Sequence, residues 1–336
     1  MLTPEGCARR RERLFASMVA SGWPVYVTRN YRTTYYFTGT LTPAESPVAF
    51  VAWADGRFEL VTAETYSPDR CVTQPFADLN RKLAALLPEE AVVVREDRGA
   101  LPEILALRRR KEPDEIGEIR ESLRLCAVAY DAAREAIRPG ATELDVYLAM
   151  HAAISRAHGA VVPFPGDFAC GERCVRGGGL PTTRVLAEGD LYILDLFPAP
   201  ALYFGDTCRT FAVGGNASAR QHAAWEAVMD ARRLAESLVR PGVPAREVHA
   251  KVKSFLDAQP VSENSFWHHS GHGIGHDGHE APRIMTPSSD VFEEGDVIAL
   301  EPGVYSKAIR GGVRLEDNYI VRAEGLERLF EYRLEL

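Results

Sequence analysis

The chain has 336 residues, 46% of them hydrophobic and 26% charged, with a formal net charge of −8. That is long enough for two domains with cores of their own and too acidic for a nucleic-acid partner, whose phosphates need a basic surface. No apolar run approaches the roughly 18–20 residues of a membrane span, and the charged N-terminus MLTPEGCARRRERLF lacks a signal-peptide core. Six cysteines with no CxxC suit a reducing, cytoplasmic setting better than a disulfide framework. Cys170 and Cys174 lack a matching second pair and read as buried thiols.

Residues 1–107 read as a small α/β domain. A charged amphipathic helix is expected over 4–20, then strands at Pro24–Thr28, Thr34–Thr38, Val48–Trp53, Phe58–Thr62 and Ala91–Val94. Asp55-Gly56 marks a hairpin, and a helix of leucines and charges spans 79–87. Pro102 to Pro113 reads as the connection between domains, with Arg108-Arg109-Arg110-Lys111 as a solvated helix face. Residues 108–336 form the second domain. A long helix over 114–137 stops at Pro139-Gly140, and the next spans 142–157, capped by Thr142 with Asp145 three residues on. A glycine-rich loop over 165–182 leads to an apolar strand. Helices at 218–239 and 244–258 follow, then a glycine/histidine segment at 269–280, a second apolar strand and an antiparallel hairpin through 312–322.

The two apolar strands echo each other. Glu188-Gly189-Asp190 opens the first and Asp195 ends it; Glu294-Gly295-Asp296 opens the second and Glu301 ends it. Upstream, Arg138-Pro139-Gly140 and Arg240-Pro241-Gly242 each precede a helix, 49 and 53 residues before the glycine of the matching turn. A repeat of this kind implies two similar halves with one acid from each at matched strand ends.

Asp206 follows Asp195 by eleven positions after a Pro198–Pro200 turn, so a hairpin can bring both carboxylates to one face. His272 lies in Gly271-His272-Gly273-Ile274-Gly275, where backbones can approach closely. Arg314 and Glu316 are two apart on a strand and share a face. Each acid alone is an ordinary turn or cap residue, but four carboxylates and one imidazole together suit hard or borderline divalent ions. Four acids would over-charge one ion; around two the balance is sensible.

This ordered set, with His279-Glu280 behind the glycine motif, Glu301-Pro302-Gly303 and Arg314-x-Glu316-Asp317, resembles the pita-bread metallopeptidases, and more narrowly the branch of Xaa-Pro dipeptidase, aminopeptidase P and creatinase. The resemblance implies an α+β chain: a creatinase/prolidase-like N-terminal domain, then a pseudo-two-fold domain of curved antiparallel sheet backed by helices. It implies Asp195, Asp206, His272, Glu301 and Glu316 as metal ligands, with Asp206 and Glu316 bridging two ions. Manganese is the first choice; cobalt, iron or zinc are alternatives. His268 and His279 would flank the substrate, Arg314 would orient acids or grip substrate, and Glu301 would shuttle a proton while a hydroxide held between the ions attacks an amide carbonyl. A homodimer is implied by the same likeness.

The departures cluster near the expected pocket. Gly171 to Arg184 aligns without a gap to a family loop that supplies a substrate-facing histidine, but Gly178 occupies that position. Phe197, Cys208 and His276 stand where the family has glycine, threonine and an aliphatic residue. Period-two alternation puts Phe197 on the face of Asp195 and Cys208 on that of Asp206. Gly178, Phe197 and His276 are therefore candidate substrate-binding positions. Arg173 or Arg176 could meet an anionic substrate group or simply face solvent, and His276 could replace the lost imidazole or lie at the surface. Three functions follow: hydrolysis of an Xaa-Pro bond in a short peptide, action on a small specialised C–N metabolite, or a metal-free binding module.

Overall fold

Thr3 Oγ1 accepts a hydrogen bond from the Gly6 amide and Pro4 begins the helix, so α1 runs Pro4–Ala20. The structure is a computed structural model describing residues 1–42, 46–62, 75–87, 89–262 and 266–336. The chain divides into two units, Met1–Glu115 and Ile116–Leu336. After α1 the first unit contains β1 (Val25–Thr28), α2 (Tyr31–Thr38), β2 (Val48–Trp53), β3 (Phe58–Thr62), α3 (Pro75–Leu86), β4 (Val93–Arg95) and α4 (Leu101–Arg109). The sheet order is β3-β2-β1-β4, antiparallel except for the β1–β4 pair.

Two expectations fail here. Thr34–Thr38 is helical, not extended: Asn30 caps α2 by accepting from the Arg32 amide, and Gly39 closes it with φ 70°. Its β-favouring threonines and aromatics are overridden by burial of Tyr35, Tyr36 and Phe37. The basic run is not a solvated face either. Arg108 and Lys111 are buried; the Arg108 guanidinium lies 5.9 Å over the Tyr36 ring and donates to Thr33 Oγ1. The segment just beyond it is also tied into this unit, since the fully buried Arg10 pairs with Asp114 at 2.9 Å.

The second unit begins within α5 (Pro113–Ala136). It comprises α6 (Glu143–His158), β5 (Gly166–Cys170), a 3-10 turn at Gly171–Arg176, β6 (Leu191–Leu196), β7 (Thr207–Ala212), α7 (Ala219–Leu238), α8 (Ala245–Asp257), β8 (Gly271–Gly273), β9 (Glu280–Ile284), β10 (Val297–Leu300), β11 (Gly303–Ser306), β12 (Gly311–Arg314), β13 (Asp317–Arg322) and β14 (Gly325–Arg328). Thr142 and Asp145 form the expected capping box on α6. Three antiparallel sheets result: β5-β6-β7, β14-β13-β10-β8-β9 and β11-β12. The expected glycine-rich loop therefore contains a strand, β5. The expected hairpin through 312–322 does not pair with itself: β12 pairs with β11, and β13 with β10 and β14. Trp225, Val228, Val248, Val252, Ile298, Leu300 and Tyr319 belong to the core between α7, α8 and the sheets. The described residues include no helix long and apolar enough to cross a membrane.

The repeat is written into the backbone hydrogen bonds. The Gly140 amide donates to Leu186 O at 3.0 Å, and the Gly242 amide to Phe292 O at 2.8 Å. In the turns, Gly189 N donates to Val213 O at 2.9 Å and Gly295 N to Val321 O at 2.8 Å. Both glycines have positive φ, 76° and 94°, a conformation glycine adopts without cost. Asp190 Oδ2 accepts from Ala187 N at 3.0 Å, and Asp296 Oδ2 from Glu293 N at 2.8 Å. The same bonds thus recur in each half, so β6 and β10 are equivalent strands and Asp195 and Glu301 equivalent acids.

Candidate metal centre

Five side chains from five places in the chain meet. Asp195 is near the end of β6, Asp206 just before β7, His272 in the middle of β8, Glu301 just beyond β10 and Glu316 between β12 and β13. All are buried, none more than 5% exposed. His272 Nε2 lies 3.6 Å from Asp206 Oδ2, 3.4 Å from Glu301 Oε1 and 3.7 Å from Glu316 Oε1. Ligand atoms of His272, Glu301 and Glu316 fall within 4.8 Å of one another, as do those of Asp195, Asp206 and Glu316.

Local structure explains each position. A Cβ on Gly271 or Gly273 would collide with the backbone of Ala299 or Ala281, so glycine alone lets β8 sit tightly between β10 and β9 and deliver His272. Its Nδ1 is 3.0 Å from Gly273 O. A carbonyl only accepts, so Nδ1 carries the proton and Nε2 turns its lone pair to the acids. Burial lowers the His272 pKa to about 3, which keeps the ring neutral. Asp206 is held at its backbone by Asn318, which accepts from Asp206 N at 3.1 Å and donates to Asp206 O at 2.6 Å. Glu316 and Cys208 exchange backbone hydrogen bonds of 3.1 and 3.3 Å, an isolated bridge.

The electrostatics call for a cation. Burial, and next the repulsion of a neighbouring acid, Asp195 for Asp206 and Asp206 for Glu316, push the pKa of both well above the carboxylate range. Asp195 is raised to about 7 by burial, with Arg314 opposing and Glu301 adding to the rise. Asp195 Oδ1 and Glu316 Oε1 are buried with no hydrogen bond, and Glu301 Oε1 has only the His269 ring nitrogen, 2.7 Å away. Buried polar atoms are otherwise nearly always satisfied, so two orphaned carboxylate oxygens within a cluster of four buried acids and one imidazole lone pair fit divalent metal. Arg314 alone cannot supply the charge: its Nη2 is divided among Asp195 Oδ2 at 3.1 Å, Asp167 Oδ2 at 3.3 Å and Gly177 O at 3.1 Å.

The remaining expected residues fall around this centre. The exposed His279 ring stands 3.8 Å from that of His272. His268 is committed at both nitrogens, with Nδ1 2.7 Å from His269 O and Nε2 2.9 Å from Tyr305 Oη; burial lowers its pKa to about 4. Phe197 is half-buried just past β6. Cys208 is fully buried opposite Asp195 in the β6–β7 register. His276 is buried, not at the surface, with its ring 5.0 Å from Tyr203. Arg173 is engaged with Glu143 and donates to Leu180 O at 2.9 Å. The five cysteines among the described residues are buried and unbridged; Cys71 lies outside them.

Four residues were not singled out from sequence. His269 Nδ1 lies 2.7 Å from Glu301 Oε1; the doubled histidine in Trp267-His268-His269 was its only signal. Tyr305, Asn318 and Asp167 act through contacts that spacing does not encode.

The sequence model of metallopeptidase family M24 matches residues 117–323. The chain belongs to metallopeptidase family M24. Among M24 relatives, the Xaa-Pro dipeptidases of Pyrococcus furiosus and Pyrococcus horikoshii are each 32% identical over 227 residues, covering 67% of this chain and 64% of the relative. The chain thus spans about 64% of the length of those curated relatives. A solved Xaa-Pro dipeptidase from Bacillus anthracis superposes with a TM-score of 0.83 at 24% identity, covering 98% of this chain and 99% of that one. An X-Pro aminopeptidase from Thermotoga maritima gives 0.81 at 21% identity over 97% and 98%. These likenesses establish the α+β pita-bread fold expected for an M24 chain.

Proposed function

We propose that this chain is a metal-dependent hydrolase of the Xaa-Pro peptidase type, acting on a short peptide, with Asp195, Asp206, His272, Glu301 and Glu316 holding two divalent ions. The orphaned, buried oxygens of Asp195 and Glu316, set in a cluster of four acids and one imidazole, carry this reading. Glu316 belongs to both groups made up only of the five proposed ligands, which supports a shared ligand between two sites. The oxygen-rich donor set with one imidazole favours manganese, with cobalt, iron or zinc as alternatives. Such ions supply a water that ionises near neutral pH and polarise the amide carbonyl.

The protein's own groups do the rest. Glu301 takes the proton of the attacking water and passes it to the leaving nitrogen. His279, exposed beside His272, donates to the developing oxyanion. His268, held by Tyr305, forms the wall next to Glu301, and Arg314 fixes Asp195. Family likeness supports a homodimer, and cysteine usage a cytoplasmic setting. Purified protein supplemented with Mn²⁺ should hydrolyse Ala-Pro or Gly-Pro, with activity lost on chelation; no turnover above background with any of the four metals rejects the peptidase reading. A second reading, action on a small C–N metabolite, is favoured by the altered loop at Gly178, and a silent dipeptide panel alongside turnover of small amides or amidines would select it. The orphaned oxygens weigh against a metal-free binding module.

A further inference from the structure

Gly178 is not a glycine for the sake of its backbone. Its neighbours Gly177 and Gly179 take φ of 97° and 154°, whereas Gly178 is not among the positive-φ residues. What excludes a side chain there is Asp167: a Cβ on Gly178 would collide with Asp167 Cβ, Cγ and Oδ2. Asp167 stands opposite Asp195 in the β5–β6 register. Its side chain is 41% exposed, against 8% for Arg314 and for Asp195. Its hydrogen bond runs through Oδ2 to Arg314, which leaves Oδ1 without one among the described residues. The space that a side chain at 178 would enter is therefore filled by a half-exposed carboxylate beside the metal centre. Glycine at 178 and the acid at 167 are one coupled arrangement.

The charge count decides its effect. At this rim Arg314 faces two carboxylates, Asp167 and Asp195, and the Gly177 carbonyl, while Arg173, beside Gly179, is held by Glu143 and Leu180 O. The space a donor side chain at 178 would enter holds an acceptor instead, whose Oδ1 has no hydrogen bond among the described residues. We infer that Asp167 is a specificity-determining residue that selects substrates presenting a cationic group, an ammonium or guanidinium, to the 177–179 loop and disfavours a carboxylate there.

This inference rests on the hydrolase reading, but its test does not need turnover. Four related ligands would be compared by calorimetry or thermal shift on Mn²⁺-loaded protein: N-acetyl-Ala-Pro, Ala-Pro, Ala-Pro amide and the Ala-Pro aminoethylamide, which carry progressively more positive charge and of which the first and last are matched in size. Wild type should bind them in that order, tightest last. Asp167→Asn should weaken the aminoethylamide about tenfold relative to N-acetyl-Ala-Pro, as expected for a partly exposed charge pair, and shift KM with little change in kcat for any that are cleaved. Gly178→Ala, which displaces Asp167 without touching its charge, should move selectivity the same way. An equal loss for all four ligands, or a fall in kcat with selectivity intact, would mean that Asp167 only positions Arg314 and would overturn the proposal, as would no change at all. Absence of hydrolysis with this binding pattern intact would reject the peptidase reading and leave the charge preference standing.

Discussion

Glu316 is the residue on which a two-ion centre turns, because its carboxylate lies in both groups made up only of the five proposed ligands and one of its oxygens has no hydrogen-bond donor. Glu316→Gln keeps the shape and removes the charge. We expect metal analysis to find about one ion or fewer per chain instead of two, hydrolysis to fall at least about 100-fold, and the circular dichroism spectrum to stay unchanged; full occupancy in this variant would remove Glu316 from the ligand set. The five proposed ligands were legible in sequence because each sits at a landmark: the end of a repeated strand, a Gly-His-Gly motif, or a fixed offset from either. Asp167 was not legible. Its meaning lies in a cross-strand register with Asp195 and a steric conflict with Gly178, neither of which leaves a local signature. Asn318, which grips the Asp206 backbone from 112 positions away, is hidden for the same reason.

At the scale of elements, the start of β13 is fixed by a buried acid next to Glu316. Asp317 accepts from Arg209 at 2.6 Å, from Arg232 at 2.7 Å and from Arg328 at 2.5 Å, so β7, α7 and β14 converge on one carboxylate. Asp317→Ala strands the buried Arg209 and Arg232 and should cost about 3–5 kcal/mol, as for a broken buried ion pair. Denaturant unfolding would measure it, and a loss below about 1 kcal/mol, the value of an exposed pair, would show that the cluster does not brace the strand. Elements with explicit caps, such as α1 and α6, could be read from sequence almost to the residue. The α2 segment Tyr31–Thr38 could not, since its composition favours strand while Asn30, Gly39 and burial favour helix. β5 was missed because its apolar run, Phe168-Ala169-Cys170, is short and lies amid glycines. The partners of β12 and β13 were misassigned because adjacency in sequence suggested a hairpin, whereas each strand pairs elsewhere.

For the whole molecule, metal and protons compete. Asp195 in the cation-free fold has its pKa raised to about 7, from 3.8, by burial and neighbouring acids, and Asp206 and Glu316 are likewise raised well above the carboxylate range. A raised pKa means that the folded state holds a proton the unfolded chain has released, so these groups favour the cation-free fold at low pH and destabilise it above about pH 7. Bound cations replace those protons. The difference in Tm between Mn²⁺-loaded and chelated protein should therefore be largest above about pH 7 and shrink as the pH falls towards about 5; calorimetric scans would check it, and a gap that widens on acidification would contradict it. The recurrence of the same backbone bonds around Gly189 and Gly295 has an evolutionary corollary. Two unfused copies of one ancestral half, paired about a symmetry axis, would already have presented a carboxylate from each copy to a common point. In the present chain the two halves differ in what else they bring to that point, Asp206 in the earlier one and His272 and Glu316 in the later one, so the centre is no longer symmetric.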